Sequence, residues 1–265
     1  MASHSYDLVK LGRTGHVTTV TLNRPEKLNA LSHQLTAELH AALDELSDES
    51  DVRTLILTGA GRGFCSGADV NQQLESLEGR QAHSSPPQGP GITALGPHIR
   101  RISQPVIAAI NGVAAGAGLA IALACDIRLA SEEASFSCIF VRRSLVPDTG
   151  TSYTLPRLVG HGVAMEMALT GNIYDAQWAL EKGLVNRVVP PDRLMEEAMT
   201  LANDIASNPP ICVRSIKELL YEHDEELLDI LPKESAANIL AADSEDRLEA
   251  VRSFLEKRPP VYKGR

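Results

Sequence analysis

A chain of 265 residues with 43% apolar but only 4% aromatic side chains can bury a sizeable core, and must build it from Ala, Leu, Val and Ile. Its formal charge of −9, with 25 Lys+Arg against 34 Asp+Glu and no basic stripe, argues against a nucleic-acid partner. No run reaches the ~18 apolar residues of a membrane span and the N-terminus has no targeting pattern, so the expectation is a cytoplasmic protein with no membrane partner. Cys65, Cys125, Cys138 and Cys212 show no CxxC spacing and read as reduced thiols, not as a metal site.

In chain order, β-rich residues 6–11 and 16–22 flank Gly12 and Gly15 and predict a hairpin. From Leu31, the residues Leu35, Leu39, Ala42, Leu43 and Leu46 recur at helical spacing. Residues 52–58 predict a buried strand, 60–69 a glycine-bearing loop, and 79–91, with Ser84-Ser85-Pro86-Pro87, a mobile stretch. Residues 106–110 predict another strand, 113–124 a helix of small residues, and 127–130 a strand. Beyond Gly150 three apolar stripes predict helices: Leu194, Ala198, Leu201, Ala202 and Ile205; then Leu227, Ile230 and Leu231; then Leu248, Val251 and Leu255. Strands alternating with helices indicate an α/β fold with a helical C-terminal region.

Two loops carry the chemistry. Phe64-Cys65-Ser66-Gly67-Ala68-Asp69 follows a strand, and Asn111-Gly112-Val113-Ala114-Ala115-Gly116-Ala117-Gly118 repeats the arrangement. The first N–H groups of a helix have no internal acceptor and carry partial positive charge. Two such loops can aim one N–H each at a single developing oxyanion, as reactions through an enolate or tetrahedral intermediate require. Gly116-Ala117-Gly118 imitates a dinucleotide fingerprint, but Ile121 stands at the last glycine position. A P-loop is excluded by the lack of Gly-Lys-Ser/Thr. Either loop alone would be explained by tight packing.

Together with Asn23-Arg24-Pro25, Leu28-Asn29-Ala30-Leu31, Gln104-Pro105-Val106, Ala124-Cys125-Asp126, Leu155-Pro156-Arg157-Leu158-Val159-Gly160 and Phe254-Leu255-Glu256-Lys257-Arg258, these loops form an ordered series that resembles the enoyl-CoA hydratase/isomerase (crotonase) superfamily over nearly the whole chain. The resemblance implies a spiral of ββα units over 1–190 holding an acyl-CoA site, and a helical trimerisation region over 191–265. It implies a homotrimer or hexamer and coenzyme A as part of the substrate, with no other cofactor and no metal. The oxyanion hole would use the N–H groups of Ala68 and Ala117. Acyl-CoA would lie against Lys27, Leu28, Ala68, Asp69, Ala117 and Phe140, with Phe254 and Lys257 reaching it, often from a neighbouring subunit.

Family hydratases add water with two glutamates, whose positions here are Ala120 and Phe140. Neither can move a proton, and the nearby Glu132 and Glu133 are expected on a solvated turn. Val146-Pro147-Asp148-Thr149-Gly150 resembles instead the Pro-Asp-x-Gly segment of family isomerases, in which the aspartate is the acid/base. Asp148 also precedes an expected helix, which it could cap. The expected activity is therefore double-bond isomerisation through Asp148. Aryl-CoA dehalogenation or thioester hydrolysis through Asp148, or acyl-CoA binding without catalysis, are the alternatives. In the dehalogenase branch a histidine would fall near Thr93, with His98 the nearest candidate.

Overall fold

The computed structural model describes residues 6–77, 79, 90–221 and 225–263, so most of the stretch expected to be mobile lies outside the described residues. β1 (Val9–Thr14) and β2 (Val17–Leu22) pair antiparallel as the expected hairpin, with the turn at Gly15 pairing Thr14 with Val17. α1 (His33–Asp48) starts after Leu31, because the Ser32 hydroxyl caps it by accepting from Leu35 N–H at 3.1 Å. Its buried face carries Leu35, Leu39, Leu43 and Leu46, each such side chain contributing about 1.5–3 kcal/mol of transfer energy.

The chain then spirals. β3 (Thr54–Gly59) leads into β4 (Gly63–Cys65) and α2 (Val70–Leu77), and α3 (Leu95–Arg101) follows. β5 (Val106–Ile110) leads into β6 (Val113–Ala115) and α4 (Ala117–Ala124). β7 (Ile127–Ser131) leads into β8 (Ser135–Ser137), then α5 (Thr151–Val159) and α6 (His161–Thr170). β9 (Tyr174–Asp175), α7 (Ala176–Glu181) and β10 (Arg187–Val189) complete it. Each turn gives one strand to a six-stranded sheet, β1-β2-β3-β5-β7-β10, and one to a four-stranded sheet, β4-β6-β8-β9. β3 is buried along its whole length, as a central strand covered on both faces must be.

The helix expected over 113–124 is in fact a strand, a bend and a helix. Val113–Ala115 pairs with both β4 and β8, Gly116 turns at φ +54°, and α4 begins at Ala117. A run of small apolar residues has no periodicity that separates these states. Residues 60–69, expected as loop, likewise contain the short β4.

α8 (Leu194–Ala206) lays Leu194, Ala198, Ala202 and Ala206 against Val17, Ile56, Ile107 and Leu129 on the large sheet. α9 (Pro210–Leu220) is tied to the spiral through Asp126, which accepts from Lys217 Nζ at 2.9 Å and Tyr221 OH at 2.6 Å. α10 (Glu225–Ala242) packs on α5, and α11 (Glu245–Leu255) on α2, closing over the loops between the strands. Among the described residues no helix is long and apolar enough to cross a membrane, and Cys65, Cys125, Cys138 and Cys212 are all free thiols.

Candidate active site

The two glycine loops meet. Gly67 has φ +98°, and a Cβ placed there would approach Ala115 O at 2.8 Å and Ala117 N at 3.6 Å, so only glycine lets the loops touch. Gly118 sits against the backbone of Cys65, whose carbonyl oxygen would overlap any Cβ. The first loop is tethered from the Leu28-Asn29-Ala30-Leu31 segment. Asn29 Nδ2 donates to Gly63 O at 2.7 Å and Ala60 O at 3.0 Å, Leu31 N–H to Gly67 O at 2.8 Å, and Ser66 N–H to Leu28 O at 3.0 Å. Asn111 ties the second loop to the first, donating to Gly61 O at 2.9 Å and accepting from Gly59 N–H at 3.2 Å. The N–H groups of Ala68 and Ala117 stand at this junction, and no protein acceptor takes either among the described residues.

A cavity of about 540 Å³ opens beside them. Lys27, Leu28, Ala68, Asp69, Ala117, Phe140, Asp148 and Phe254 all line it, although they come from segments spread over most of the chain. Lys257 lies in an adjoining cavity that shares Arg143 and Phe254 with the first. Phe254 reaches the site within its own chain. Thr93 lines the cavity, whereas His98 faces away and pairs with Asp44 at 3.0 Å and His40 at 2.7 Å. Glu132 and Glu133 are exposed, as expected.

Three carboxylates border this space: Glu26, Asp69 and Asp148. Asp69 accepts from Arg24 Nη1 at 2.6 Å and from Asn71 N–H at 3.0 Å. Burial opposes its charge, but Arg24 and these donors outweigh it and hold the carboxyl below its ordinary range. Glu26 lies 3.7 Å from the same guanidinium.

Asp148 differs. It has no cation within 4.0 Å among the described residues. Burial pushes its carboxyl up to about 6; the Thr149 hydroxyl, donating at 2.9 Å, opposes that rise, nearby Glu234 adds to it, and Arg247 opposes it. The turn that presents it is strained: Thr149, β-branched and buried, has φ +59°. Asn238 of α10 holds the turn by bonding both backbone groups of Val146, at 2.9 and 3.2 Å, and reaches Asp148 Oδ2 at 3.4 Å.

The possible capping role is taken by another residue. Glu234, 6% exposed on α10, accepts from Gly150 N–H and Ser152 N–H, both at 3.0 Å, and from the Ser152 hydroxyl at 2.5 Å. Asp148 contributes only its backbone carbonyl, to Thr151 N–H at 2.8 Å. The long separation of Glu234 from α5 in sequence hid this cap, and Asn238 with it. The side-chain carboxylate of Asp148 is thus left for the cavity.

Carboxyl-carbon NMR titration checks this account of Asp148. The wild-type midpoint is expected at about 6. Thr149→Ala removes a bond that favours the anion, so the midpoint should rise; Glu234→Gln removes a like charge, so it should fall. Shifts in the same direction would show that another effect controls the group.

Residues 12–265 match the family model described as Enoyl-CoA hydratase/isomerase. The chain is 38% identical over 254 residues to the 1,2-epoxyphenylacetyl-CoA isomerase of Escherichia coli (strain K12), covering 94% of this chain and 95% of that one. It is also 38% identical over 258 residues to the short-chain-enoyl-CoA hydratase of Clostridium acetobutylicum, covering 94% and 95%. The crystal structure of an enoyl-CoA hydratase/isomerase from Pseudoalteromonas atlantica T6c superposes with a TM-score of 0.87 at 31% identity, covering 97% of this chain and 100% of that one. The spiral of two-strand, one-helix units and the two joined glycine loops are therefore those of a shared fold, and this chain belongs to the enoyl-CoA hydratase/isomerase family.

Proposed function

We propose that this family member is an enoyl-CoA isomerase that moves a double bond with a single carboxylate, Asp148. The observation that carries the reading is the contrast among the cavity carboxylates: Asp69 and Glu26 face Arg24, whereas Asp148 has no cation in ion-pair range among the described residues and sits at about 6. A base near the working pH transfers protons best. Ala120 and Phe140, both buried, offer no second acid or base for hydration.

In this reading the thioester oxygen accepts from Ala68 N–H and Ala117 N–H, each worth roughly 2.7–4 kcal/mol as charge develops. Asp148 takes a proton from one carbon of the acyl chain, leaving a dienolate, and returns the same proton to another carbon, so the balance closes without water. The coenzyme A phosphates lie toward the exposed cations Lys27 and Arg62, and Lys257 and Phe254 border the neighbouring space. Self-association as a trimer or hexamer belongs to the same proposal, supported by exposed Ile211, Ile216, Leu219, Leu220, Ile239 and Leu240 on α9 and α10.

Product analysis after incubation with enoyl-CoA, aryl-CoA and saturated acyl-CoA tests it. A shifted double bond with no 3-hydroxy product is expected. Efficient hydration, halide release or free coenzyme A would replace isomerisation with one of the other chemistries.

A further inference from the structure

One wall of the cavity carries more positive charge than a hydrocarbon chain would use. Arg143 ends a 3-10 turn, Ile139–Arg143, that also carries Phe140, and lines the 540 Å³ cavity with Ala117 and Asp148. Its guanidinium carbon lies over the Phe254 ring, 3.7 Å from the centroid, a cation–π contact. Its own hydrogen bond, Nη1 to Arg142 O, is long at 3.4 Å. Behind it, Arg247 is only 6% exposed and borders an adjoining cavity of about 420 Å³ that shares Ala68, Thr93, Leu145 and Asp148 with the first. Arg247 donates to Arg143 O at 2.6 Å and Gln73 Oε1 at 3.0 Å, both neutral acceptors. Neither guanidinium has a carboxylate oxygen within 4.0 Å among the described residues.

Resting on the acyl-CoA reading above, we propose that the acyl group bears a second anionic centre, a carboxylate remote from the thioester, bound by Arg143 with Arg247 behind it. A desolvated guanidinium facing a hydrocarbon end would keep its burial cost unrelieved. A carboxylate meets its planar donors two at a time, a match that a lysine could not give. Asp148 is the internal competitor, but neither of its oxygens comes within 4.0 Å of either guanidinium. Phe140, Ile92 and Leu145 line the space for the intervening carbons. The substrate class is thus a dicarboxylic acyl-CoA, the half-thioester of a diacid.

The test is binding, not turnover. Calorimetry compares saturated acyl-CoA thioesters of matched chain length ending in methyl or carboxylate, with coenzyme A alone as reference. The wild type is expected to bind the carboxylate-ended member about tenfold more tightly or better. Arg143→Gln should bring that ratio close to one; because the readout is a ratio, any general loss of affinity divides out. Arg143→Lys, which keeps charge but not the fork, should give an intermediate ratio and serves if the glutamine variant does not fold. Equal or tighter wild-type binding of the methyl-ended member overturns the proposal while leaving the isomerase reading intact. So does an Arg143→Gln loss that is the same for both thioesters and for coenzyme A, which would place a coenzyme phosphate on Arg143. If no thioester binds, the acyl-CoA reading itself fails.

Discussion

Asp148→Asn is expected to lower turnover of an enoyl-CoA substrate by about 10²-fold or more while leaving thioester affinity nearly unchanged. Asparagine keeps the shape and cannot take a proton from carbon. The α5 terminus should survive, because its N–H groups are held by Glu234 and not by the Asp148 side chain. Steady-state kinetics and calorimetry on the same variant read the two quantities. Wild-type turnover in the variant would end the proposed mechanism; lost affinity with lost stability would make the residue structural.

The same substitution should stabilise the protein at neutral pH. An unfolded Asp148 ionises near 3.8 and the folded one at about 6, so the anion is disfavoured by folding. Its contribution to stability falls as pH rises through that window, and is lowest above it. Asparagine never ionises. The variant's advantage should therefore be near zero below about pH 4 and reach about 2 kcal/mol above about pH 6. The figure allows for one imperfect contact, the Asn238 amide, which would face an amide nitrogen across the present 3.4 Å bond. A residue kept at the expense of stability is what a functional carboxylate looks like.

How much of this could be read from the chain alone depended on the range of the interactions. α1 and α8 showed themselves through side chains repeating within a turn, and the two glycine loops through small residues close together in sequence. The Val113–Ala124 segment did not, because Val-Ala-Ala and Ala-Gly-Leu-Ala are equally apolar whether extended or helical; pairing of Val113–Ala115 with β4 and β8 decided it. Glu234 and Asn238 had no local signal, since their partners lie more than eighty residues away on the Asp148 turn. Arg143 and Arg247 belong to none of the motifs read from the chain, and only the packing of α11 against the Ile139–Arg143 turn brings Arg247 onto the Arg143 carbonyl. Asp69 went the other way: it lines the cavity as the motif implied, but Arg24 claims its charge.

Gly118→Ala should be the most disruptive single-methyl change in the protein. The new Cβ would overlap the carbonyl oxygen of Cys65 and also approach its carbonyl carbon and Cβ, and backbone cannot swing aside as a side-chain end can. Overpacking a core by a methyl costs about 1–3 kcal/mol, and a clash with a fixed strand belongs at or above the top of that range. Relief requires α4 to back away from β4, which carries the Ala117 N–H out of line with Ala68. A displaced oxyanion donor costs roughly 10²-fold or more in turnover, so residual folded enzyme should also be slow. Gly162→Ala is the matched control: it lies in α6 with nothing near its absent Cβ, and alanine there should stabilise by about 0.4–1 kcal/mol. Thermal unfolding and kcat of the two variants together check the argument. A Gly118→Ala protein as stable and active as the Gly162→Ala protein would mean that the two loops are not in contact, and with them the proposed oxyanion hole would go.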